Sequence, residues 1–166
     1  MVRPCAPGGL GRLNVYDDDL EQFVDREPFR SRRKRLVDPA TARLGTSIWE
    51  IAPRSTQLPY HFHHVQEELV IVLRGRVTLR TPGGERELRE GDVVHFPTGP
   101  AGAHSLRNDT DEPVRVLWVS ELATAEVAEY PDSGKVRVSS RADSQRGQRL
   151  ATQFRLVDEV EYLADE

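Results

Sequence analysis

Cysteine is scarce in this sequence. The chain of 166 residues contains one cysteine, Cys5, so it cannot form an internal disulfide bond. Long apolar runs are also missing, and none approaches the roughly 20 residues that a membrane-spanning helix requires. Residues 1–13 contain prolines and glycines where a signal peptide would have an apolar stretch. We therefore expect a cytoplasmic protein that is stabilised by an apolar core.

The sequence has no excess of positive charge. Its formal net charge is −4, which argues against a general attraction to nucleic acid or to an anionic membrane. One basic cluster, formed by Arg30 and residues 32–35, has two interpretations. It is either a phosphate-binding patch or, as we favour, the solvated face of an N-terminal strand or arm. The expected partner is therefore a small molecule.

The distribution of apolar residues divides the chain into three parts. We predict an N-terminal arm at residues 1–40, a barrel core at residues 41–122 and a partly mobile C-terminal extension at residues 123–166. The core contains short apolar or alternating runs separated by glycine and proline, a pattern typical of an all-β sandwich or barrel. Within the extension, residues 139–149 are predicted to be an exposed linker. Residues 154–163 are predicted to be a short helix or strand that docks back.

The run at residues 69–73 is apolar on both faces of its predicted strand. Such a strand has to be covered on both sides. One face can look into the barrel, and the other must meet the arm, another sheet or a second subunit. Because a barrel of this size also leaves sheet edges that invite pairing, we expect a two-fold homodimer.

All five histidines lie within one stretch of 44 residues: His61, His63, His64, His95 and His104. His61 and His63 are two positions apart, so they project from the same face of a strand. Glu68 begins the next extended run, and His104 lies on a later strand that can pack beside the first. Three imidazoles and one carboxylate suit a single ion of Fe, Mn, Ni, Zn or Cu. The alternative is a histidine-rich surface turn, because a His-x-His pair alone is a weak motif.

Several neighbouring residues have open roles. Glu67 could replace Glu68 as a ligand, but strand alternation should point it away. His64 is either a base near the metal or a polar loop residue, and His95 is expected to be packed or on the surface. Four aromatic residues belong either to the core or to the lining of a pocket: Trp49, Tyr60, Phe62 and Trp118.

These residues follow a spacing that resembles the two motifs of the cupin superfamily. The first motif is His-x-His, three or four residues, Glu, six residues and Gly, and it is matched by His61, His63, Glu68 and Gly75. The second is Gly, five residues, Pro-x-Gly, a short gap, His, three residues and Asn, and it is matched by Gly91, Pro97, Gly99, His104 and Asn108. The gap before His104 holds four residues, where the family usually has two. Ser55 stands where the family has a glycine.

The resemblance implies a single cupin barrel, a double-stranded β-helix or jelly roll, similar to small single-domain bacterial cupins. It also implies that His61, His63, Glu68 and His104 bind one divalent transition metal ion. Cupins of this kind include dioxygenases, decarboxylases, lyases, isomerases and cyclases, so the resemblance identifies no single reaction.

We therefore expect a small metalloenzyme that acts on an oxygen-bearing organic molecule. Dioxygenase chemistry is the first expectation, and isomerase, cyclase or lyase chemistry is the second. Glu67 and His64 are the candidates for moving a proton. The alternative is a non-catalytic cupin that binds a small metabolite or a metal.

Overall fold

The computed structural model describes residues 12–39, 42–143 and 149–161, and Cys5 lies outside them. Nearly all of the regular structure in these residues is β-strand, so the all-β prediction is confirmed. The strands are β1 (Glu21–Arg26), β2 (Phe29–Arg35), β3 (Leu44–Ile51), β4 (Ser55–Thr56), β5 (Phe62–His63), β6 (Glu68–Arg74), β7 (Arg76–Thr81), β8 (Gly84–Arg89), β9 (Val93–Phe96), β10 (Ser105–Asn108), β11 (Val114–Glu121), β12 (Ala125–Tyr130), β13 (Lys135–Asp143) and β14 (Arg149–Arg155). Two short 3-10 helices, Pro100–Gly102 and Leu156–Asp158, accompany them. No helix in the described ranges is long and apolar enough to span a membrane.

Ten strands form the larger sheet. Its order is β8-β7-β10-β4-β2-β3-β11-β6-β9, and β1 pairs with β2. The pairing is antiparallel except for the parallel contact between β2 and β4. Strand β11 pairs with β3 on one side and with β6 on the other, which brings residues more than 40 positions apart onto one surface. The inward surface of this sheet holds the core.

The core forms because inward and outward side chains alternate along the strands. Its buried residues are Trp49, Ile51, Val70, Val72, Val77, Leu79, Leu88, Phe96, Leu106, Val114, Val116 and Trp118. Each large apolar side chain buried in this way contributes about 1.5–3 kcal/mol. The turn between β6 and β7 depends on Gly75, whose φ is +84°. A Cβ there would lie 3.1 Å from Cγ2 of Val114, so both the backbone and the space favour glycine.

Residues 15–20 lie against part of the outward face of the sheet, at β2 and β11. The guanidinium of Arg115 on β11, which is 2% exposed, donates hydrogen bonds to the carbonyl oxygens of Val15 and Asp17 at 3.3 and 3.0 Å. It also donates to Glu50 of β3 at 2.7 Å. These bonds satisfy a buried charge and hold the N-terminal segment against the strands.

The basic cluster lies on β2, as expected for a strand, but its side chains are not uniformly solvated. Lys34 is 6% exposed, and its ammonium group lies 2.5 Å from Asp19 and 3.8 Å from Asp17. Arg32 donates to Glu50 at 3.2 Å. Arg33, which lies between them, points to the opposite face of the sheet. The cluster therefore divides between the covered outer face and the interior.

The smaller sheet has the order β14-β13-β12-β5. This sheet corrects the linker prediction at residues 139–143. These residues belong to β13, which hydrogen-bonds to β12 on one side and to β14 on the other. Residues 144–148 lie outside the described part of the chain. Strand pairing also crosses the predicted domain boundaries, since β2 pairs with β3 across residue 40 and β5 pairs with β12 across residue 122.

Candidate metal centre

Two histidines meet through the backbone. His61 and His104 form an isolated antiparallel bridge, in which each N–H donates to the other's carbonyl oxygen, at 3.1 Å and 2.9 Å. Side chains of directly opposed residues project from the same face of a sheet. Their ring centroids are consequently only 4.7 Å apart.

Glu68 completes a compact group with these two histidines. Its Oε2 lies 3.4 Å from Nε2 of His104 and 3.3 Å from Nε2 of His63. One ligand atom from each of His61, Glu68 and His104 lies within 4.8 Å of the others. His63 borders the group through Glu68 and through His61, whose ring centroid is 5.1 Å away. The structure thus brings together the four residues predicted as ligands, three of them in the tightest arrangement.

Backbone carbonyls orient two of the rings. Nδ1 of His61 lies 2.8 Å from the carbonyl oxygen of Pro59, and Nδ1 of His104 lies 2.8 Å from that of Gly102. Because a carbonyl only accepts, each Nδ1 carries the proton and each Nε2 keeps its lone pair. This is the usual arrangement for a metal-binding histidine.

The carbonyl of Gly102 reaches His104 because Gly102 packs closely on the preceding turn. A Cβ at this position would lie 1.8 Å from the carbonyl oxygen of Pro97, so no larger residue fits there without a backbone shift. Gly102 ends the 3-10 helix Pro100–Gly102. That helix contains three of the four residues in the gap before His104, where the family usually has two, and the longer gap leaves His104 at the site.

Burial keeps the two opposed histidines neutral. Desolvation lowers the pKa of His61 to about 3, and the neighbouring histidines add to this shift. Desolvation also lowers the pKa of His104. For Glu68, burial alone would raise the pKa, but His63 and the other rings hold it below its usual value. Neutral imidazole nitrogens around an ionised carboxylate form a donor set that fits a divalent transition metal ion.

Glu126 of β12 lies behind His63 and was not anticipated from the sequence. Its Oε1 is 3.7 Å from Nδ1 of His63, a buried atom that has no hydrogen-bond partner in the described residues. Burial alone would lower the pKa of His63, but Glu126 and Glu68 outweigh it and raise the pKa to about 9. No motif marks Glu126, and only the pairing of β12 with β5 brings it to the site.

The two residues predicted to move a proton lie outside this group. Glu67 is 54% exposed and pairs with His95 at 3.1 Å on the outer side of β6, as strand alternation requires. Nε2 of His64 pairs with Glu129 at 2.6 Å. Neither residue lines the cavity described next, and their catalytic roles stay predictions.

A cavity of about 140 Å³ opens beside the group. This is close to the size that accommodates a molecule as large as benzene. The residues that line it are Arg33, Ser47, Trp49, Gln57, Leu58, His61, Glu68, His104, Ser105, Leu106, Trp118 and Ser120. Trp49 and Trp118 are therefore lining residues as well as core residues, whereas Tyr60 and Phe62 do not line this cavity. No sequence motif marks Arg33 or Gln57.

Comparisons with known proteins agree with this geometry. Residues 47–120 match the family model Cupin_2, described as a cupin domain. A stretch of 70 residues is 27% identical to the uncharacterized protein MJ1618 of Methanocaldococcus jannaschii. That stretch is 42% of this chain and 54% of the relative, so the match spans about half of the relative's length.

Solved structures resemble a larger part of the chain. A proposed sugar phosphate isomerase of Acidithiobacillus ferrooxidans is 27% identical with a TM-score of 0.72, over 86% of this chain and 88% of that one. A sugar phosphate isomerase of Silicibacter pomeroyi is 23% identical with a TM-score of 0.71, over 89% and 94%. The polyketide cyclase RemF of Streptomyces resistomycificus is 24% identical with a TM-score of 0.57, over 82% and 89%. The last two similarities show the fold alone.

Proposed function

We propose that this chain is a metal-dependent enzyme. We start from the cupin domain at residues 47–120, by which the chain belongs to the cupin superfamily. Its substrate is a small hydroxy-carbonyl compound, and its reaction is a non-redox isomerisation. The metal ligands in this proposal are His61, His63, Glu68 and His104.

One observation carries the proposal. The same small cavity is lined by His61, His104 and Glu68 and by several polar side chains. A cluster that served only to bind metal would need no adjoining space. A cavity that opens on the ligands gives a substrate access to the ion.

The metal would supply Lewis acidity, since a bound divalent ion polarises a carbonyl oxygen and acidifies the neighbouring C–H bond. The chain itself supplies hydrogen-bond donors. Oε1 of Gln57 accepts from Nε1 of Trp118 at 3.3 Å, which leaves the amide Nε2 free to donate into the cavity. Ser47 Oγ accepts from Nε1 of Trp49 at 2.9 Å, and its hydroxyl proton remains available. These donors can orient the hydroxyl groups of a substrate.

Isomerisation also needs a base in the cavity. Glu68 is the one carboxylate among the lining residues, and we assign to it the removal of the proton from the hydroxyl-bearing carbon. The same carboxyl group returns a proton to the former carbonyl carbon, while the hydroxyl proton moves to the former carbonyl oxygen. This assignment differs from the expectation for Glu67 and His64, whose side chains do not line the cavity.

The structural relative from Acidithiobacillus ferrooxidans supports isomerase chemistry over the dioxygenase chemistry that we expected first. It is described as a proposed sugar phosphate isomerase and is similar over most of both chains. Dioxygenase activity stays a prediction, as does the alternative of a non-catalytic cupin that binds a small metabolite.

The test is hydrogen exchange with solvent. Protein loaded separately with Mn, Fe, Ni or Zn is incubated in D2O with aldoses, ketoses and their phosphates, and deuterium at the carbon next to the carbonyl is followed by NMR. We expect metal-dependent incorporation that Glu68→Gln abolishes. Glu67→Gln, on the outer face of the same strand, is the matched control and should retain the activity.

Two results would contradict the proposal. Metal-dependent oxygen consumption without deuterium incorporation would identify an oxygenase instead. A compound that raises the melting temperature of the metal-loaded protein, but causes neither deuterium exchange nor oxygen consumption, would identify a binding protein.

A further inference from the structure

Arg33 differs from three other basic residues of its strand. Arg30, Arg32 and Lys34 each pair with a carboxylate. Within the ranges that the structure describes, Arg33 forms no ion pair. Its guanidinium carbon lies instead 4.2 Å from the ring centroid of Phe23 and 5.0 Å from that of Trp49. A half-buried cation without a counter-charge requires another explanation.

The position of Arg33 supplies this explanation. Arg33 pairs in register with Trp49 of β3, and both residues line the cavity that contains the metal ligands. The guanidinium lies over the two aromatic rings, so the N–H groups at its edge remain available to a ligand in the cavity. Ser47 and Ser120, which line the same cavity, offer hydroxyl groups beside it.

We propose that Arg33 is the anchor of an anion subsite, which binds the phosphate or carboxylate group of the substrate while the hydroxy-carbonyl end meets the metal ligands. This inference rests on the proposed function and narrows its substrate class to anionic compounds. The planar guanidinium matches both groups because it donates two parallel hydrogen bonds to a pair of anionic oxygens.

The local charge favours an anion. Burial lowers the pKa of Arg33 to about 10, and the charges of Arg35 and Arg137 contribute to that shift. Arg33 therefore stays protonated at neutral pH, in surroundings where two further guanidinium groups add positive potential. An incoming anion offsets the repulsion among these three cations and the loss of hydration at Arg33.

The test uses simple anions, so that it does not depend on turnover. Binding of inorganic phosphate and of acetate to the metal-loaded protein is measured by calorimetry for the wild type, Arg33→Gln and Arg86→Gln. Arg86 lies on β8, is exposed and does not line the cavity, so it controls for the loss of one charge away from the subsite. Metal content and melting temperature are recorded for each variant to show that the fold and the site are intact.

We expect Arg33→Gln to weaken phosphate or acetate binding by at least about tenfold, and Arg86→Gln to weaken it by less than about twofold. Whichever of phosphate and acetate binds with the higher affinity identifies the anionic group of the substrate as a phosphate or a carboxylate. Equal weakening by both variants would overturn the inference, because it would indicate general electrostatic attraction. Unchanged binding in Arg33→Gln, or no binding to the wild type at millimolar anion, would overturn it as well.

These outcomes are independent of the isomerisation assay. Anion binding that depends on Arg33, in a protein that catalyses no deuterium exchange, would retain the subsite and reject the proposed reaction. Exchange with neutral sugars in a protein that does not bind anions would retain the reaction and reject the subsite.

Discussion

Glu126 lies against the back of His63, with its Oε1 3.7 Å from the ring Nδ1. The same carboxylate accepts the backbone N–H groups of His64, Val65 and Gln66 at 3.1, 3.3 and 2.8 Å. It therefore fixes the turn that separates two of the proposed ligands and faces one of them directly. A carboxylate behind a metal-binding histidine orients the ring and increases its basicity.

Glu126→Gln should lower metal affinity by about 10–100-fold, the range observed when such supporting groups are removed. The glutamine keeps one oxygen that can accept hydrogen bonds from the turn but loses the negative charge beside His63. Affinity is measured by competition with a chromogenic zinc chelator. The melting temperature of the metal-free variant is recorded separately, because the second oxygen also supports the turn.

Glu129→Gln is the matched control for this variant. Glu129 lies on the same strand and pairs with His64 at 2.6 Å, away from the ligand group. We expect its metal affinity to stay within about twofold of the wild type. Equal losses in the two variants would mean that Glu126 has no specific role at His63.

Removal of the metal should destabilise the protein. Three imidazoles and a carboxylate that converge in a largely buried site are costly without a cation. An ion present at 100 times its dissociation constant adds about 2.7 kcal/mol to the free energy of unfolding. Chelation should therefore lower the melting temperature by about 5–10 °C for a chain of this size.

His61→Ala should abolish this response to chelator, because it removes one of the three closest ligands. His95→Ala, which removes an exposed histidine paired with Glu67, should retain it. Superimposable melting curves of the wild type with and without chelator would argue against a tightly held ion.

The short-range features of the site follow from the sequence. Alternation along a strand predicts that His61 and His63 share a face and that Glu68, not Glu67, points inward. The motif spacing then predicts that His104 comes to the same point, and the structure brings its Nε2 within 3.4 Å of Glu68. Each of these predictions depends on strand geometry or on motif spacing.

The long-range features do not follow from the sequence. Glu126 reaches His63, 63 residues before it, only because β12 pairs with β5, and Arg33 reaches the cavity only because β2 pairs with β3. The linker prediction was wrong at residues 139–143 for a related reason. These residues are mostly polar, but the strand that they form is held by backbone hydrogen bonds to its neighbours, and such bonds do not require apolar side chains.

The ion pair between Asp19 and Lys34 should make stability depend on pH in the acidic range. The hydrogen bond from Lys34 and its charge hold the pKa of Asp19 below its usual value, against a smaller opposite effect of desolvation. A carboxylate whose pKa is lower in the folded state stabilises the fold above its unfolded pKa, and this contribution is lost as the pH falls through the folded pKa. The effect should therefore be complete at pH 7 and should decline below about pH 4.

Urea unfolding of the wild type and of Asp19→Asn between pH 7 and pH 3 measures this contribution. Because Asp19 itself is exposed, we expect the variant to lose about 1 kcal/mol at pH 7, near the upper end for such pairs. The difference should shrink toward zero at the lowest pH. A difference that stayed constant with pH would exclude the ion pair as its cause.

The assembly state is the last property that we predict. The structure leaves apolar side chains exposed at its C-terminal end, where Leu156, Val157 and Val160 are 54%, 85% and 77% exposed. Within the described residues, β14 pairs only with β13 and β9 only with β6, so each offers a free edge to another chain. We expect a two-fold homodimer that buries more than about 1,000 Å² in total.

Sedimentation at micromolar concentration should give about twice the monomer mass of 18.8 kDa. If the C-terminal end forms the interface, Val157→Asp combined with Val160→Asp should shift the equilibrium toward monomer. A wild-type species at the monomer mass would contradict the dimer, whereas a dimer unaffected by the two substitutions would move the interface to the edge of β9 or to the outer sheet face.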